Sequence, residues 1–217
     1  MRLRLVTVFV VLAASAGLFT SIGIASSASA LCFGRAATVV PDGNNYYLTA
    51  GDDVVVGTSG ADYVADTDPG AEGGTDFICT GGGADEIQLR GLIHATIDAG
   101  SGSDNVVPQG EGTINLNLGT GNDFTNTFNL TGTVSGGTGN DTLFVQGFDI
   151  IPGVIVMGES GNDYIQSAAA EFIYGGSGKD TIIDQSDTGA TLVDCGSGRD
   201  IFYAPNAITI KSCDVPY

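Results

Sequence analysis

Apolar residues recur in this chain in a phase set by aspartate. Taking the aspartate of each Gly-x-Asp as zero gives Asp62, Asp85, Asp104, Asp123, Asp141, Asp163, Asp180 and Asp200. Two positions later stand Val64, Ile87, Val106, Thr125, Leu143, Ile165, Ile182 and Phe202, apolar in every case but Thr125. Seven positions earlier stand Val55, Ile78, Ile97, Leu116, Val134, Val156, Ile173 and Val193, apolar without exception. Each unit therefore predicts two short strands with inward side chains, separated by a glycine turn. A single such unit cannot bury its one apolar face, so neighbouring units must stack into a continuous core. Fixed-period self-similarity of this kind predicts an all-β solenoid of about eight coils.

The window from seven before to two after each aspartate never changes length, so variation in coil length falls on the opposite side. Insertions such as "DTDPGAEGG" (66–74) are expected to bulge there, while the aspartate turns stack in register on one edge. The slot nine before each aspartate holds Asp53 and Asp76 in the first two coils, then Ala95, Ile114, Gly132, Val154, Glu171 and Thr191. A second aspartate edge is thus retained only at its start.

Glycine permits positive φ, so a tight G-x-G-x-D turn can aim several carbonyl oxygens at one spot. Stacked strands lie about 4.8 Å apart, and like charges at that distance repel by about 0.9 kcal/mol even in water. An uncompensated aspartate column would oppose folding. A hard divalent cation between turns would turn repulsion into cohesion, and Ca²⁺ tolerates an irregular shell of about six to eight oxygens better than Mg²⁺ does.

"GGTGNDTLF" (136–144) and "GGSGKDTII" (175–183) resemble the hemolysin-type RTX nonapeptide G-G-x-G-x-D-x-U-x, U being a large apolar residue. The resemblance spans roughly residues 48–203. It implies a parallel β-roll with Ca²⁺ between consecutive turns, held by the eight phased aspartates and by carbonyls of glycines such as Gly102, Gly121, Gly139, Gly161, Gly178 and Gly198. The family usually carries ions on both edges; here Asp53 and Asp76 allow at most one ion on the second. The first motif glycine is replaced by Thr80, Ala99, Leu118 and Cys195, and the second by Thr58 and Glu159. The glycine two before each aspartate is never lost. "LCFGRAATVV" (31–40) and the ending "DCGSGRDIFY...SCDVPY" also resemble small secreted calcium-binding proteins of actinobacterial type.

Residues 1–30 read as a secretory signal peptide: Arg2 and Arg4, a long apolar run, then Ala28-Ser29-Ala30 as an A-x-A cleavage site. An uncleaved anchor is the competing reading, because the run from Leu5 to Ala25 is almost long enough to span a bilayer. The expected organisation is a signal peptide (1–30), an N-terminal cap (31–47), the roll (48–203) and a C-terminal cap (204–217), giving an extracellular chain with no membrane partner after cleavage.

Removing Arg2 and Arg4 leaves five basic residues against 25 acidic ones, a net charge of −20. Such a surface makes nucleic acid and anionic membrane poor partners. The four cysteines, Cys32, Cys79, Cys195 and Cys213, read as disulfides in an exported chain. Of the three connectivities, Cys32–Cys79 with Cys195–Cys213 is favoured because each pair closes one end. Zinc finds no C-x-x-C pair and only one histidine, His94.

Catalysis has little support, because His94 lies in "GLIHATI" beside an inward-facing Ile97 and lacks a positioned partner. A P-loop in "GGSGKDT" fails, since Asp180 occupies the Ser/Thr slot and no glycine stands four residues before Gly178. A Rossmann loop fails because these runs recur every coil and lead into β-prone residues. The expectation is a non-enzymatic, calcium-binding protein with a structural or interaction role. A different class is an ice- or surface-binding module, whose Thr and Asn rows would be Thr120, Asn122, Thr138 and Asn140. Whether the partner is protein, glycan or ice is open at this level.

Overall fold

The computed structural model describes residues 30–66, 73–147 and 152–216. The signal-like segment, most of the 66–74 insertion and Asp149, an aspartate off the repeat phase, lie outside the described residues. Within them the chain is an all-β solenoid of about eight turns whose coils stack as two rows of parallel strands.

One row follows the aspartates, from Asn45–Leu48 and Tyr63–Asp66 at one end to Thr181–Asp184, Ile201–Tyr203 and Val215–Pro216 at the other. The second row precedes them, from Val54–Val56 and Asp76–Cys79 to Leu192–Asp194 and Thr209–Lys211. The apolar phases form two unbroken columns. In the first, Tyr46, Val64, Ile87, Val106, Thr125, Leu143, Ile165, Ile182 and Phe202 pair coil to coil. In the second, Val55, Ile78, Ile97, Leu116, Val134, Val156, Ile173, Val193 and Ile210 do the same. Apart from Phe202 and Ile210 near the last coil, these side chains are buried. Thr125, the polar exception, is fully buried but donates its hydroxyl proton to the Val106 carbonyl at 2.7 Å, so it leaves no unmet donor.

The three central coils depart from the expectation of two short strands. Glu86–Asp98, Asn105–Asn117 and Phe124–Thr138 run as single strands round the edge opposite the aspartates. Two of them stay in one register along their whole length, Leu89 beside Pro108 and Arg90 beside Gln109, so the backbone ladder continues through the bend. The register slips only toward the third, between Gln109 and Gly112, where Phe124–Thr138 belongs to the shorter coil spacing.

Both strand rows extend past the repeat itself. Asn45–Leu48 adds a strand whose Asn44 occupies the aspartate phase, its carbonyl accepting from the Tyr63 N–H as the Asp62 carbonyl accepts from Glu86. Each end is pinned by a disulfide, Cys32–Cys79 and Cys195–Cys213. At the N-terminal end a tight hairpin, Leu31–Cys32 against Arg35–Ala36, lays Arg35 over the Phe77 ring at 4.0 Å.

The candidate calcium column

Local backbone chemistry fixes the turn first. The glycines two before the aspartates, from Gly83 to Gly198, adopt φ between +123° and +146°. A Cβ on Gly102, Gly121, Gly139, Gly161, Gly178 or Gly198 would lie 1.3–1.7 Å from the carbonyl oxygen of the equivalent glycine one coil before. No side chain fits in that space, which explains why this glycine alone is never replaced. Their N–H groups tie coil to coil: Gly102 donates to Thr120, Gly121 to Thr138 and Gly139 to Ser160, each at 2.8 Å. The carbonyls of Gly102, Gly121, Gly139, Gly161 and Gly178 point along the stack at the next glycine.

Next in sequence, the aspartates themselves form a ladder. The N–H of Asp62 donates to Oδ1 of Asp85, and the pattern repeats through Asp104, Asp123, Asp141, Asp163, Asp180 and Asp200 at 2.8–2.9 Å. All eight carboxylates are buried, none more than 3 % exposed. The second oxygens are left over: Oδ2 of Asp85, Asp104, Asp123, Asp141, Asp163, Asp180 and Asp200 is buried without a hydrogen-bond partner. A buried anionic acceptor without a partner is costly. Seven in one line make a column of buried anionic acceptors whose chemistry suits a positively charged ligand that takes oxygen.

Asp62 differs. It heads the column, and its Oδ2 accepts from the N–H of Thr58 at 2.7 Å. The replaced glycine at Thr58 is therefore an end cap. The second edge repeats the device: Asp53 donates its N–H to Asp76 Oδ1 at 3.0 Å, while its Oδ2 accepts from the Thr49 N–H at 2.6 Å. Sequence reasoning placed Asp53 and Asp76 together but missed both threonine caps.

Burial pushes these carboxyls up, and neighbouring carboxylates push them further. Asp104 and Asp163 rise to about 7, and Asp76 and Asp123 to about 6. Asp85, Asp141 and Asp180 are raised as well, burial again being the chief cause. No cationic side chain is among the causes that set the values of Asp76, Asp104, Asp123 and Asp163.

A second oxygen set faces the orphan atoms. Five residues before the aspartate, a Cβ on Gly136 would meet Asp141 Oδ2 at 2.6 Å and the Gly158 carbonyl at 2.9 Å. On Gly158 it would meet Asp163 Oδ2 and the Gly175 carbonyl, and on Gly175 the Asp180 Oδ2 and the Cys195 carbonyl, all at 2.4–2.7 Å. Gly57 has the same surroundings in Asp62 and the Thr80 carbonyl. These glycines keep an oxygen-lined cradle open that a side chain would fill. In the other coils this position carries a buried side chain, Thr80, Ala99, Leu118 or Cys195. No group of three or more His, Cys, Asp and Glu side chains converges among the described residues, so an ion here would take carboxylates from adjacent turns and complete its shell with carbonyls. The donor set is oxygen only, which suits Ca²⁺.

A family model for the RTX calcium-binding nonapeptide repeat matches in four copies, over residues 42–65, 131–147 and 155–182. The chain carries RTX calcium-binding repeats. No curated protein and no solved structure gives a match to it. The matched segments contain Gly57, Gly136, Gly158 and Gly175, the four open cradles. Between and beyond them, the aspartate ladder continues through Asp85, Asp104, Asp123 and Asp200, where the residue five before the aspartate carries a side chain. RTX repeats stacked in a solenoid fit a calcium-binding β-roll.

The Thr and Asn rows also find their place. The side-chain Oδ1 of Asn122 accepts from the Asn140 backbone N–H at 2.8 Å, that of Asn140 from the Asn162 N–H at 2.7 Å, and that of Asn162 from the Lys179 N–H at 2.8 Å. Thr120 pairs backbone to backbone with Thr138. The amide oxygens of this row are occupied by the neighbouring turn.

Proposed function

We propose that this is a secreted calcium-binding RTX β-roll in which Ca²⁺ ions bridge adjacent aspartate turns, link folding to metal and hold an extracellular structural or interaction surface. The observation that carries this reading is the line of seven buried Oδ2 atoms without partners. The three consecutive open cradles at Gly136, Gly158 and Gly175 make the coils of Asp141, Asp163 and Asp180 the strongest sites. Export is supported by the signal-like first thirty residues and by two disulfides, which suit an oxidising compartment.

Metal binding becomes folding free energy where the unfolded chain holds no site. The test is circular dichroism and thermal melting of the chain beginning at Leu31, titrated with CaCl2 and then treated with EDTA. Calcium is expected to raise the melting midpoint and EDTA to return it; a midpoint and β-sheet spectrum indifferent to both would end the ion-bridged reading. The Asn ladder speaks for turn chemistry over ice recognition, and an ice-recrystallisation assay checks that directly: inhibition abolished by Thr120→Val and Thr138→Val would favour the surface-binding reading instead.

A further inference from the structure

The sheet formed by the strands before the aspartates turns positions six and eight before each aspartate outward. On either side of the middle of the sheet these outward rows are apolar, Phe77 and Cys79 before it, Ile155 and Met157 after it. Over the three coils between, they are Thr96 and Asp98, Asn115 and Asn117, Thr133 and Ser135. At about 4.8 Å per coil this makes a polar patch set in a flatter apolar face. A groove of about 620 Å³ runs over it, lined also by Phe33 and Glu159, within the range of about 300–1,000 Å³ usual for ligand sites.

Phe33 and Glu159 are both placed against local backbone preference. Phe33 has φ +48° and Glu159 φ +73°, two of only four non-glycine residues with positive φ among the described residues. Phe33 stands with Gly34 in a two-residue hairpin turn, where asparagine or glycine is favoured. Its ring is half exposed and lies 6.0 Å from that of Phe77. Glu159 stands where the RTX motif asks for glycine, and its Oε1 accepts from the Ser135 hydroxyl at 2.6 Å. Residues that strain the backbone persist where their side chains serve a purpose, and these two converge on one groove. Asn117 is likewise oriented, its amide donating to Asp98 at 3.1 Å.

We infer that this groove binds an uncharged extended glycan. The half-exposed Phe33 ring offers the apolar face against which a pyranose stacks, and the amides, hydroxyls and carboxylates of the two rows offer donors and acceptors for its hydroxyl groups. Polyanions are repelled by Asp98, Glu159 and a chain with 25 acidic residues. A peptide added as a strand finds no edge there, because these coils are paired on both sides. Glu159 belongs to the turn of Asp163, but Phe33 and Asn117 lie outside the aspartate turns, so substitutions at these two read the groove separately from the calcium column.

The experiment is calorimetric titration of the calcium-saturated chain beginning at Leu31 with cellohexaose and with mannohexaose, heparin and a strand-forming hexapeptide serving as the polyanion and peptide comparisons. Binding to a neutral oligosaccharide is expected, weakened roughly three- to tenfold by Phe33→Ala and by Asn117→Ala, with the calcium-dependent melting of both variants unchanged. Absence of binding to either sugar, sugar binding indifferent to both substitutions, or tighter binding of heparin or the peptide overturns the inference, whatever the calcium titration gives.

Discussion

Replacing Asp163 by asparagine separates the two jobs of its carboxylate. Oδ1 accepts the Asp141 N–H at 2.9 Å, a bond that holds one turn to the next. Oδ2 is buried without a partner beside the Gly158 cradle. Burial, with Asp141 and Asp180 as neighbours, raises this carboxyl to about 7. Keeping it ionised at pH 8 in the calcium-free fold therefore costs on the order of 4 kcal/mol relative to an unfolded chain with the ordinary value. Asp163→Asn keeps the Oδ1 acceptor and the volume, removes the charge, and puts an NH2 near the Gly175 carbonyl. In EDTA at pH 8 it should stabilise the fold by about 2–4 kcal/mol, the lower figure allowing for relaxation of the native turn. In calcium it should do the reverse, since an ion loses a charged ligand. Asp163→Ala removes the same charge but also leaves the Asp141 N–H buried and unmet, so it should be less stable than the asparagine variant by about 1–3 kcal/mol in both conditions. Urea denaturation followed by circular dichroism, in EDTA and in CaCl2, measures all four differences. If asparagine leaves the calcium-free chain no more stable than the parent, the unpartnered carboxylate is not the source of the calcium demand.

Asp141→Ala should weaken calcium binding more than Asp62→Ala by calorimetric titration, because Asp141 lies between two cradles whereas Asp62 is an end residue already capped by Thr58; the off-phase Asp149→Ala should be nearly silent, and a loss equal to that of Asp141→Ala would show that bulk acidity binds the ion. Asp104 and Asp163 near 7 and Asp76 and Asp123 near 6 mean that the calcium-free fold holds protons the unfolded chain has released. Its stability should therefore be fullest below about pH 4 and fall as pH rises to about 7, while calcium affinity rises over the same window. Melting in EDTA from pH 4.5 to 8 tests this, and a midpoint that climbs with pH would contradict it. Gly121→Ala forces a Cβ to 1.3 Å from the Gly102 carbonyl and should cost more than about 4 kcal/mol; a melting midpoint within a few degrees of the parent would refute the packing argument.

The sequence by itself determined the coil. Positions seven before and two after each aspartate carry apolar side chains because a strand alternates its faces, and that rule acts within one coil, so it is legible without knowing the neighbours. The invariant glycine two before the aspartate, the stacked solenoid and the pairing of Cys32 with Cys79 and Cys195 with Cys213 followed from the same local phases and from the need to close both ends, while the parallel β-roll was what the RTX resemblance implied. What lies between coils was decided only by stacking. Coil lengths vary from 17 to 23 residues, so no fixed offset names the residue overhead. Thr58 and Thr49 as caps, the Asn122–Asn140–Asn162 ladder, the Val106 carbonyl that satisfies Thr125, and the carbonyls facing each Asp Oδ2 all depend on that unseen neighbour. The outward rows were invisible for another reason: burial does not constrain them, so Thr96, Asn115 and Thr133 became one surface only when three coils of similar length lay side by side. The charge of the aspartates was plain in the sequence, but that from Asp85 onward one carboxylate oxygen would accept from the preceding turn and the other be buried without a partner is a property of the stack.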